Sequence, residues 1–314
     1  MEKEYMDKID KEWSNKRKVS KSRWWMVPSI LRHVNEIVCG EPLEGVSSGL
    51  NYKLKKLGFK FEHGVSVGFG NGSKEFKLME EGIVNKFTLF ELSEERIKIA
   101  SDNADLQGLS DRVEFIKGDY YIHKFDEDVD FVHWNNSLHH MINVEKAIKW
   151  SFEILINGGV FYMDDFVGPS KFQWADAQLQ LATRIRQTLP DIYLKNRRKP
   201  GKMLDRTISQ PNAQDIEKAD PSEAADSSAI LDNIKKYFPN ADINLTGGCV
   251  YHTALNDILC NIDESDEKDK TILDLLLIID ELATKSGVET QYATVLAIKN
   301  DNILKLISRK IRGL

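Results

Sequence analysis

Between residues 64 and 165 the chain alternates short apolar segments with polar, helix-like segments. In order, the apolar segments are GVSVGF, KFTLFE, VEFIKGD, VDFVHWN and GGVFYMDD. The helix after the second segment begins at Ser93, a good N-cap residue, and Glu94 and Glu95 follow where the helix dipole favours acids. Strands that alternate with helices are typical of βαβ units, so this region predicts a parallel sheet.

Further helices and strands flank this region. A helical arm or lid, residues 1–60, precedes it and carries RWWMVPSILRHVNEIV. After the fifth strand the pattern predicts helices near 171–189, 225–238 and 268–286, and strands in ADINLTGGCVYHTAL and QYATVLAIK. We therefore expect an α/β fold in which residues 61–314 form one domain, with a seven-stranded sheet whose last strand is antiparallel and a helical insertion at about 166–225.

Charge and cysteine content exclude several classes of protein. The formal net charge of -6 provides no global cationic field, so nucleic acid is not an expected partner. The three cysteines, Cys39, Cys249 and Cys260, show no CxxC spacing, which argues against a disulfide framework or a zinc site and favours a reducing cytoplasm. The strongest apolar run, ILDLLLIIDEL, is too short to span a bilayer. We expect a soluble cytoplasmic protein without membrane insertion; its oligomeric state stays open.

The stretch HGVSVGFGNGSKEF ends the first predicted strand in a glycine-rich loop. Gly68, Gly70 and Gly72 form the pattern GxGxG, and Ser73 stands where a dinucleotide-binding GxGxxG loop has its third glycine. Glycines at this spacing let the backbone approach a ligand without a Cβ in the way. By itself the loop could equally be a tight turn.

Two acids at the ends of the next strands favour a ligand site over a plain turn. Glu91 ends the second strand, where a carboxylate can accept hydrogen bonds from a ribose diol. Asp119 ends the third strand beside Tyr120, where it could accept from an adenine amino group. Each acid alone is more often a solvated strand end. Three such features on the carboxyl edge of one sheet point to a nucleoside-containing cofactor.

At these residues the chain resembles the class I S-adenosylmethionine-dependent methyltransferases. The resemblance lies in VSVGFGNG, LFELS, IKGDYY and VDFVHWNNSLHHM. It continues through SILRHVNEIV, DDFVGPSKFQW, DPSEAADSSAILDNIKKYF and TGGCVYHTAL, which look like a bacterial subgroup associated with surface-glycan and secondary-metabolite pathways. One departure is Ser66, because the family's first motif often has an acid at that position.

The resemblance implies a Rossmann-like fold that binds S-adenosylmethionine and releases S-adenosylhomocysteine. The expected cofactor-binding residues belong to the motifs at the strand ends: Gly68, Phe69, Gly70, Asn71, Gly72, Glu91, Leu92, Asp119, Tyr120 and Asn135.

Methyl transfer to an alcohol also needs a general base near neutrality, and histidine suits this role. His139 and His140 follow the fourth strand; we favour His140 as the base, with His139 and Asp165 as further catalytic candidates. Either histidine could instead cap a helix or fill the core. Asp164 beside Asp165 could hold a divalent metal, but adjacent acids at a strand end are usually just solvated, and we predict no metal. Candidates for binding the acceptor are four further polar residues: Arg32, His33, Asn35 and His252.

The hypothesis that follows is O-methylation of a small polar acceptor, such as a sugar or glycan precursor. N-methylation of a small-molecule amine is a close alternative, because it needs less base catalysis. A non-catalytic module that binds S-adenosylmethionine is a second alternative, and Ser66 is the one feature that favours it. A nicotinamide-dependent oxidoreductase is disfavoured by the glycine spacing.

Overall fold

The computed structural model describes residues 23–300, so the first 22 residues of the predicted arm lie outside the described part of the chain. Seven strands form one sheet in the order β3-β2-β1-β4-β5-β7-β6. Their bounds are β1 Phe61–Val67, β2 Val84–Glu91, β3 Val113–Lys117, β4 Val129–Asn135, β5 Leu155–Phe166, β6 Asp242–Gly247 and β7 Tyr292–Ile298.

The first five strands run parallel, and the last strand runs antiparallel to both of its neighbours. The chain therefore has the Rossmann-like α/β fold predicted from the alternation of strands and helices. β1 and β4 are adjacent in the middle of the sheet, although they are not consecutive in sequence. Ligands of such sheets bind at the carboxyl ends of the strands, where the strand order reverses.

Nine α-helices lie within the described residues. Their bounds are α1 Pro28–Cys39, α2 Ser48–Lys56, α3 Ser73–Glu80, α4 Glu94–Leu106, α5 Val144–Ile154, α6 Asp176–Thr188, α7 Ala213–Ala219, α8 Ile230–Tyr237 and α9 Glu267–Lys285. The predicted cap is present, since the Ser93 hydroxyl accepts a hydrogen bond from the Arg96 amide. Helices α2, α3 and α4 cover one face of the sheet, and α5 and α8 cover the other.

A third apolar cluster is built mainly from segments outside the central βα units. It combines Trp24 and Ile30 with side chains of α6, α9 and the segment after β6. The segment between β5 and α8, which includes α6 and α7, is the predicted insertion. No helix within residues 23–300 is long and apolar enough to cross a membrane.

The predicted strand in ADINLTGGCVYHTAL is shorter than expected. β6 ends at Gly247, and both Gly247 and Gly248 have positive φ angles, +88° and +113°. A π-helical turn, Cys249–Ala254, follows because the Asp280 carboxylate accepts the Gly248 and Val250 amides and holds the chain in a turn. The prediction of a longer strand was wrong, since apolar residues here fill the third cluster and not a sheet face.

Candidate functional site

The glycine loop joins β1 to α3 and requires glycine at two positions for different reasons. Gly68 has φ +71°, and a Cβ there would lie 2.9 Å from the Cβ of Ser137. Gly72 has φ +75° and caps α3, where a Cβ would meet the Phe76 ring at 2.5 Å. Left-handed backbone disfavours side chains at both positions. The bare backbone therefore leaves the carboxyl end of β1 open to a ligand.

Glu91 holds this loop to the end of β2. Its carboxylate accepts the amides of Gly70 at 3.3 Å, Leu92 at 2.9 Å and Ser93 at 3.2 Å. Burial raises the pKa of Glu91, while Arg96 and these amides act in the opposite direction. A buried carboxylate at this strand end is suited to accept hydrogen bonds from a diol.

A cavity of about 360 Å³ lies directly over the ends of β1, β2 and β4. Its wall includes five of the predicted cofactor residues, namely Gly68, Glu91, Leu92, Asp119 and Tyr120, together with His140. Further wall residues were not among the predicted site residues, although Asn136, Ser137, Met141 and Ser222 lie within the quoted motifs. The others include Arg96, Ile142, Asn143 and Lys146. We call this space the first cavity.

The other predicted cofactor residues are next to the first cavity but are not among its lining residues. Phe69 is buried against Phe115, with ring centroids 5.7 Å apart. The Asn71 side chain accepts from Ser73, and the Gly70 amide donates to Glu91. The Asn135 amide donates to Ser47, and its carbonyl accepts from Lys74 at 2.7 Å. These residues therefore support the lining residues and do not line the cavity themselves.

Asp119 and Tyr120 lie at the end of the first cavity away from the loop. Asp119 caps the short turn Tyr120–Ile122 by accepting the Tyr121 amide at 2.9 Å. Tyr120 is buried, and its ring packs edge-on against Trp150 with centroids 4.6 Å apart. An aromatic wall beside a carboxylate suits a planar base that carries an amino group.

Asp165 organises the turn Leu138–His140 that follows β4. It is buried at the end of β5, and its Oδ2 accepts the amides of Ser137 and Leu138 at 2.8 and 2.7 Å. Its Oδ1 contacts His139 Nδ1 at 2.5 Å. Burial lowers the pKa of His139, but the charge and hydrogen bond of Asp165 outweigh it, so the net shift is upward. Aspartate thus orients one imidazole and stabilises its protonated form.

The two histidines face different surroundings. The rings of His139 and His140 lie 4.0 Å apart. His140 lines the first cavity, and its Nδ1 contacts the Ser222 hydroxyl at 3.1 Å. His139 is buried, and its Nε2 lies 3.8 Å from Glu223 Oε1.

A second cavity of about 700 Å³ lies on the other side of residues 220–223. Ser222 lines the first cavity, while its neighbours Asp220 and Glu223 line the second. Its other lining residues are Arg23, Phe172, Trp174, Arg186, Leu204, Asp205, Thr207, Ile208, Ser209, Pro211, Ile216, Ala219, His252, Thr253, Asn256 and Asp257. The two cavities meet at the segment that contacts His139 and His140.

Of the four predicted acceptor residues, His252 lines the second cavity. Burial lowers the pKa of His252 to about 4, although its hydrogen bond with Gln291 acts against this. Arg32, His33 and Asn35 line neither cavity. Arg32 pairs with Glu44 and Ser29, and His33 is near the acids of α9. The Asn35 amide donates to the Leu43 and Gly45 carbonyls and fixes the connection from α1 to α2.

The serine at the acidic motif position is paired with a carboxylate from α3. The Ser66 hydroxyl donates to Glu75 Oε1 at 2.8 Å, and His133 Nδ1 lies 2.9 Å from the same oxygen. Burial acts to raise the pKa of Glu75, but His133 outweighs it, so the pKa is lowered. An acid is therefore present beneath the loop, although the strand does not supply it.

The carboxylates of Asp164 and Asp165 are both hydrogen-bonded to other residues. Asp164 Oδ2 accepts from Ser47, and both oxygens of Asp165 are engaged by the turn after β4. Within residues 23–300, His139, His140 and Glu223 have ligand-type atoms within 4.8 Å of one another. In that group His139 Nε2 lies 3.8 Å from Glu223 Oε1, while His139 Nδ1 is held by Asp165.

Comparison with known proteins gives a family and a fold. A family model described as a methyltransferase domain matches residues 64–221, half of the chain. The structure is similar to the geranyl diphosphate C-methyltransferase of Streptomyces coelicolor A3(2), solved with Mg²⁺, geranyl diphosphate and S-adenosylhomocysteine. That pair shares 13% identity over 94% of this chain and 97% of that chain, with a TM-score of 0.52.

A geranyl diphosphate methyltransferase solved with GPP and sinefungin is also similar, at 13% identity over 94% of this chain and 99% of that chain, with a TM-score of 0.52. At these identities the likeness shows a common fold. No protein of curated function matches the sequence significantly.

Proposed function

This chain belongs to the methyltransferase-domain family, and we propose that it transfers the methyl group of S-adenosylmethionine to a hydroxyl group of a small acceptor, such as a sugar or glycan precursor. The observation that carries the proposal is that residues 220–223 line two cavities and contact a buried histidine, which an aspartate orients. One cavity has the groups that a nucleoside cofactor needs, and the other is separate space for an acceptor.

The first cavity suits S-adenosylmethionine. Gly68 leaves room where a Cβ would meet Ser137, and Glu91 offers a buried carboxylate to the ribose diol. Asp119 and Tyr120 would bind the adenine. The cofactor supplies an electrophilic methyl group, so the protein must bind, orient and deprotonate the acceptor.

We assign the general base to His139, although the sequence favoured His140. His139 Nδ1 is tied to Asp165, which leaves Nε2, on the Glu223 side, to take the proton. His139 Nε2 would take the proton of the acceptor hydroxyl group, and S-adenosylmethionine would supply the electrophilic methyl group. His140, on the wall of the first cavity, then serves to shape the cofactor site.

N-methylation of an amine remains a second candidate because of the charge of the second cavity. Among the described residues that line it, Asp205, Asp220, Glu223 and Asp257 are acidic, and Arg23 and Arg186 are basic. This excess of carboxylates would attract an ammonium group. Since an amine needs less base catalysis, activity that survives His139→Asn would favour this candidate.

Isothermal titration with S-adenosylhomocysteine tests the cofactor site. We expect Glu91→Gln to weaken binding about tenfold or more, because a hydrogen bond to a charged group contributes about 1.5–3 kcal/mol. Glu94→Gln is the matched control: it lies in the first turn of α4, is exposed, and pairs only with Lys117 among the described contacts. Equal binding by the Glu91 variant and the wild type would contradict the cofactor assignment.

Production of S-adenosylhomocysteine with a panel of hydroxylated acceptors and amines tests the reaction. With an accepted alcohol, His139→Asn should lower kcat by about 10²–10⁴ while cofactor binding is retained. His140→Asn should have the smaller effect on kcat. A larger loss of kcat in the His140 variant would identify His140 as the base. Absence of product with every acceptor would support the non-catalytic module.

A further inference from the structure

A buried carboxylate of the second cavity has one oxygen without a partner among residues 23–300. Asp220 is 3% exposed, and its Oδ1 accepts the Ser222 amide at 2.9 Å and the Ser222 hydroxyl at 2.6 Å. Its Oδ2 accepts no hydrogen bond from any residue in the range 23–300. A buried polar atom in this state costs free energy, and the cost is larger when the atom is charged. Since Asp220 lines a cavity, a ligand that donates a hydrogen bond would remove this cost.

The same cavity has an aromatic side. Phe172 and Trp174 lie with ring centroids 5.4 Å apart, and His252 lies 6.3 and 6.0 Å from them. Asn256, also on the wall, has an Oδ1 that accepts no hydrogen bond within the described chain. Aromatic rings beside hydrogen-bond acceptors suit a compact ring that has an apolar face and hydroxyl groups at its edge.

Hydrogen bonds between two strained backbone segments hold these two sides of the cavity together. Lys171, Phe172 and Ala224 are non-glycine residues with positive φ angles of 53°, 53° and 47°. The Lys171 amide donates to the Ala224 carbonyl at 2.7 Å, and its Nζ donates to the Pro221 carbonyl at 2.6 Å. We call residues 171–172 and 220–224 the acceptor clamp. Strained conformations persist where the surroundings enforce them, and they are frequent in ligand clamps.

The charges around the clamp disfavour an anionic acceptor. Three donors of the Arg186 guanidinium are occupied by the Ala254 and Asp205 carbonyls and the Asp257 carboxylate. Arg23 lies over the Trp25 ring at 5.3 Å. Asp220 and Glu223 lie in the part of the cavity that adjoins His139. A phosphate group beside Asp220 would be repelled by its carboxylate.

We propose that the acceptor is an uncharged, polyhydroxylated ring compound, that Asp220 Oδ2 accepts a hydrogen bond from one of its hydroxyl groups, and that the ring lies against Phe172 and Trp174. This inference rests on the proposed function, because it assigns the second cavity to the methyl acceptor. Asp220 also binds Ser222, which contacts His140 in the first cavity. The clamp thus links the two cavities through hydrogen bonds.

Ligand-detected NMR on the wild-type protein tests the chemical class without any variant. The probes are methyl α-glucopyranoside, glucosamine and glucose 1-phosphate, each titrated with and without S-adenosylhomocysteine. We expect saturable binding of the uncharged glycoside. Binding of the phosphate should be weaker by about tenfold or more, because the carboxylate of Asp220 repels it. Tighter binding of the phosphate overturns the proposal. Tighter binding of glucosamine overturns the hydroxyl assignment in favour of an ammonium group.

Asp220→Asn tests the residue, with Asp205→Asn as the matched control, because Asp205 is on the same cavity but exposed. Asp220→Asn should weaken glycoside binding by about tenfold or more, and Asp205→Asn should change it less than about threefold. The variant protein should also be at least as stable to urea as the wild type, because a purely structural carboxylate would lose stability on this change. Unchanged glycoside binding, or a loss of stability without a loss of binding, overturns the role of Asp220.

Binding of S-adenosylhomocysteine to the wild-type protein distinguishes a failure of this inference from a failure of the proposed function. Absence of S-adenosylhomocysteine binding in the wild type defeats the proposed function. Glycoside binding that depends on Asp220 in such a protein would still support the clamp as a ring-binding site. If the cofactor binds and Asp220→Asn leaves glycoside binding unchanged, the inference fails while the proposed function stands.

Discussion

A single residue shows how a motif can change while its physical role is kept. Ser66 replaces the acid that the family often has at this position, and the sequence offered no substitute for it. Glu75, nine residues later on α3, brings a carboxylate to the Ser66 hydroxyl and to His133. This partner could not be predicted from spacing in the motif, because it depends on how α3 packs on the sheet.

Glu75→Gln should destabilise the fold by about 1–3 kcal/mol, since it removes a buried charged partner of Ser66 and His133. Urea unfolding at pH 7 measures the effect, and Glu80→Gln, an exposed position on the same helix, is the control. The folded-state pKa of Glu75 is lowered, so its stabilising contribution is present above its unfolded pKa near 4.5 and is lost as the pH falls through the folded-state value. Equal stability of both variants would contradict this role.

We expect the pKa of His139 to lie above the ordinary histidine value of 6.5 and the pKa of His63 to lie below it. Asp165 raises the pKa of His139 above 6.5 against the effect of burial, whereas burial lowers the pKa of His63. The contribution of the His139–Asp165 pair to stability is therefore full below pH 6.5 and is lost as the pH rises through the folded-state pKa. NMR titration of the imidazole signals measures both residues in one sample.

Asp165→Asn should bring the His139 midpoint down and leave that of His63 unchanged, because His63 contacts Thr88 and not Asp165. A His139 midpoint below 6.5 in the wild type would contradict the orientation and charge that we assign to this pair.

At the scale of elements, the sequence predicted those parts whose signals are local. The cap at Ser93, the strand ends at Glu91 and Asp119, and the glycine loop each follow from a few neighbouring residues. The π-helical turn after β6 was missed because its cause is Asp280, a residue on α9 that is distant in sequence. Helix α3 has a glycine with a positive φ angle near each end, Gly72 and Gly82, so the effect of a local contact can be tested there.

Gly72→Ala should cost at least about 1 kcal/mol more than Gly82→Ala in the free energy of unfolding. Both glycines have positive φ angles, +75° and +67°, so both alanines carry the same backbone strain. A Cβ at Gly72 meets the Phe76 ring at 2.5 Å, while a Cβ at Gly82 has no atom of the described chain within 4 Å. Urea unfolding of the two variants isolates the steric clash. Equal losses would mean that Phe76 moves aside without cost.

At the scale of the whole molecule, the α/β fold and the carboxyl edge of the sheet, where the first cavity lies, could be predicted, but the second cavity could not. The first cavity is built from strand ends, which the alternation of apolar and polar segments locates. The second cavity is built from α6, the residues that follow it and the π-helical turn. Asp220 and Glu223 lie in DPSEAADSS, which was noticed without a role, because only folding brings it beside His139. Arg32 and Asn35, which were expected to bind acceptor, line neither cavity and contact Glu44 and Gly49.

The two cavities should therefore respond separately when ligand binding is measured through the stability of the whole protein. A ligand that binds only the folded state raises the free energy of unfolding by about 2.7 kcal/mol at a concentration of 100 times its Kd. S-adenosylhomocysteine should stabilise the wild type and Asp220→Asn by the same increment, because Asp220 is not on the first cavity. At the same ligand concentration, Glu91→Gln should lose about 1.4 kcal/mol of that increment for each tenfold loss of affinity. Thermal and urea unfolding with and without ligand provide the increments. A reduced increment in Asp220→Asn would contradict this independence and show that the contact of Asp220 with Ser222 couples the two cavities.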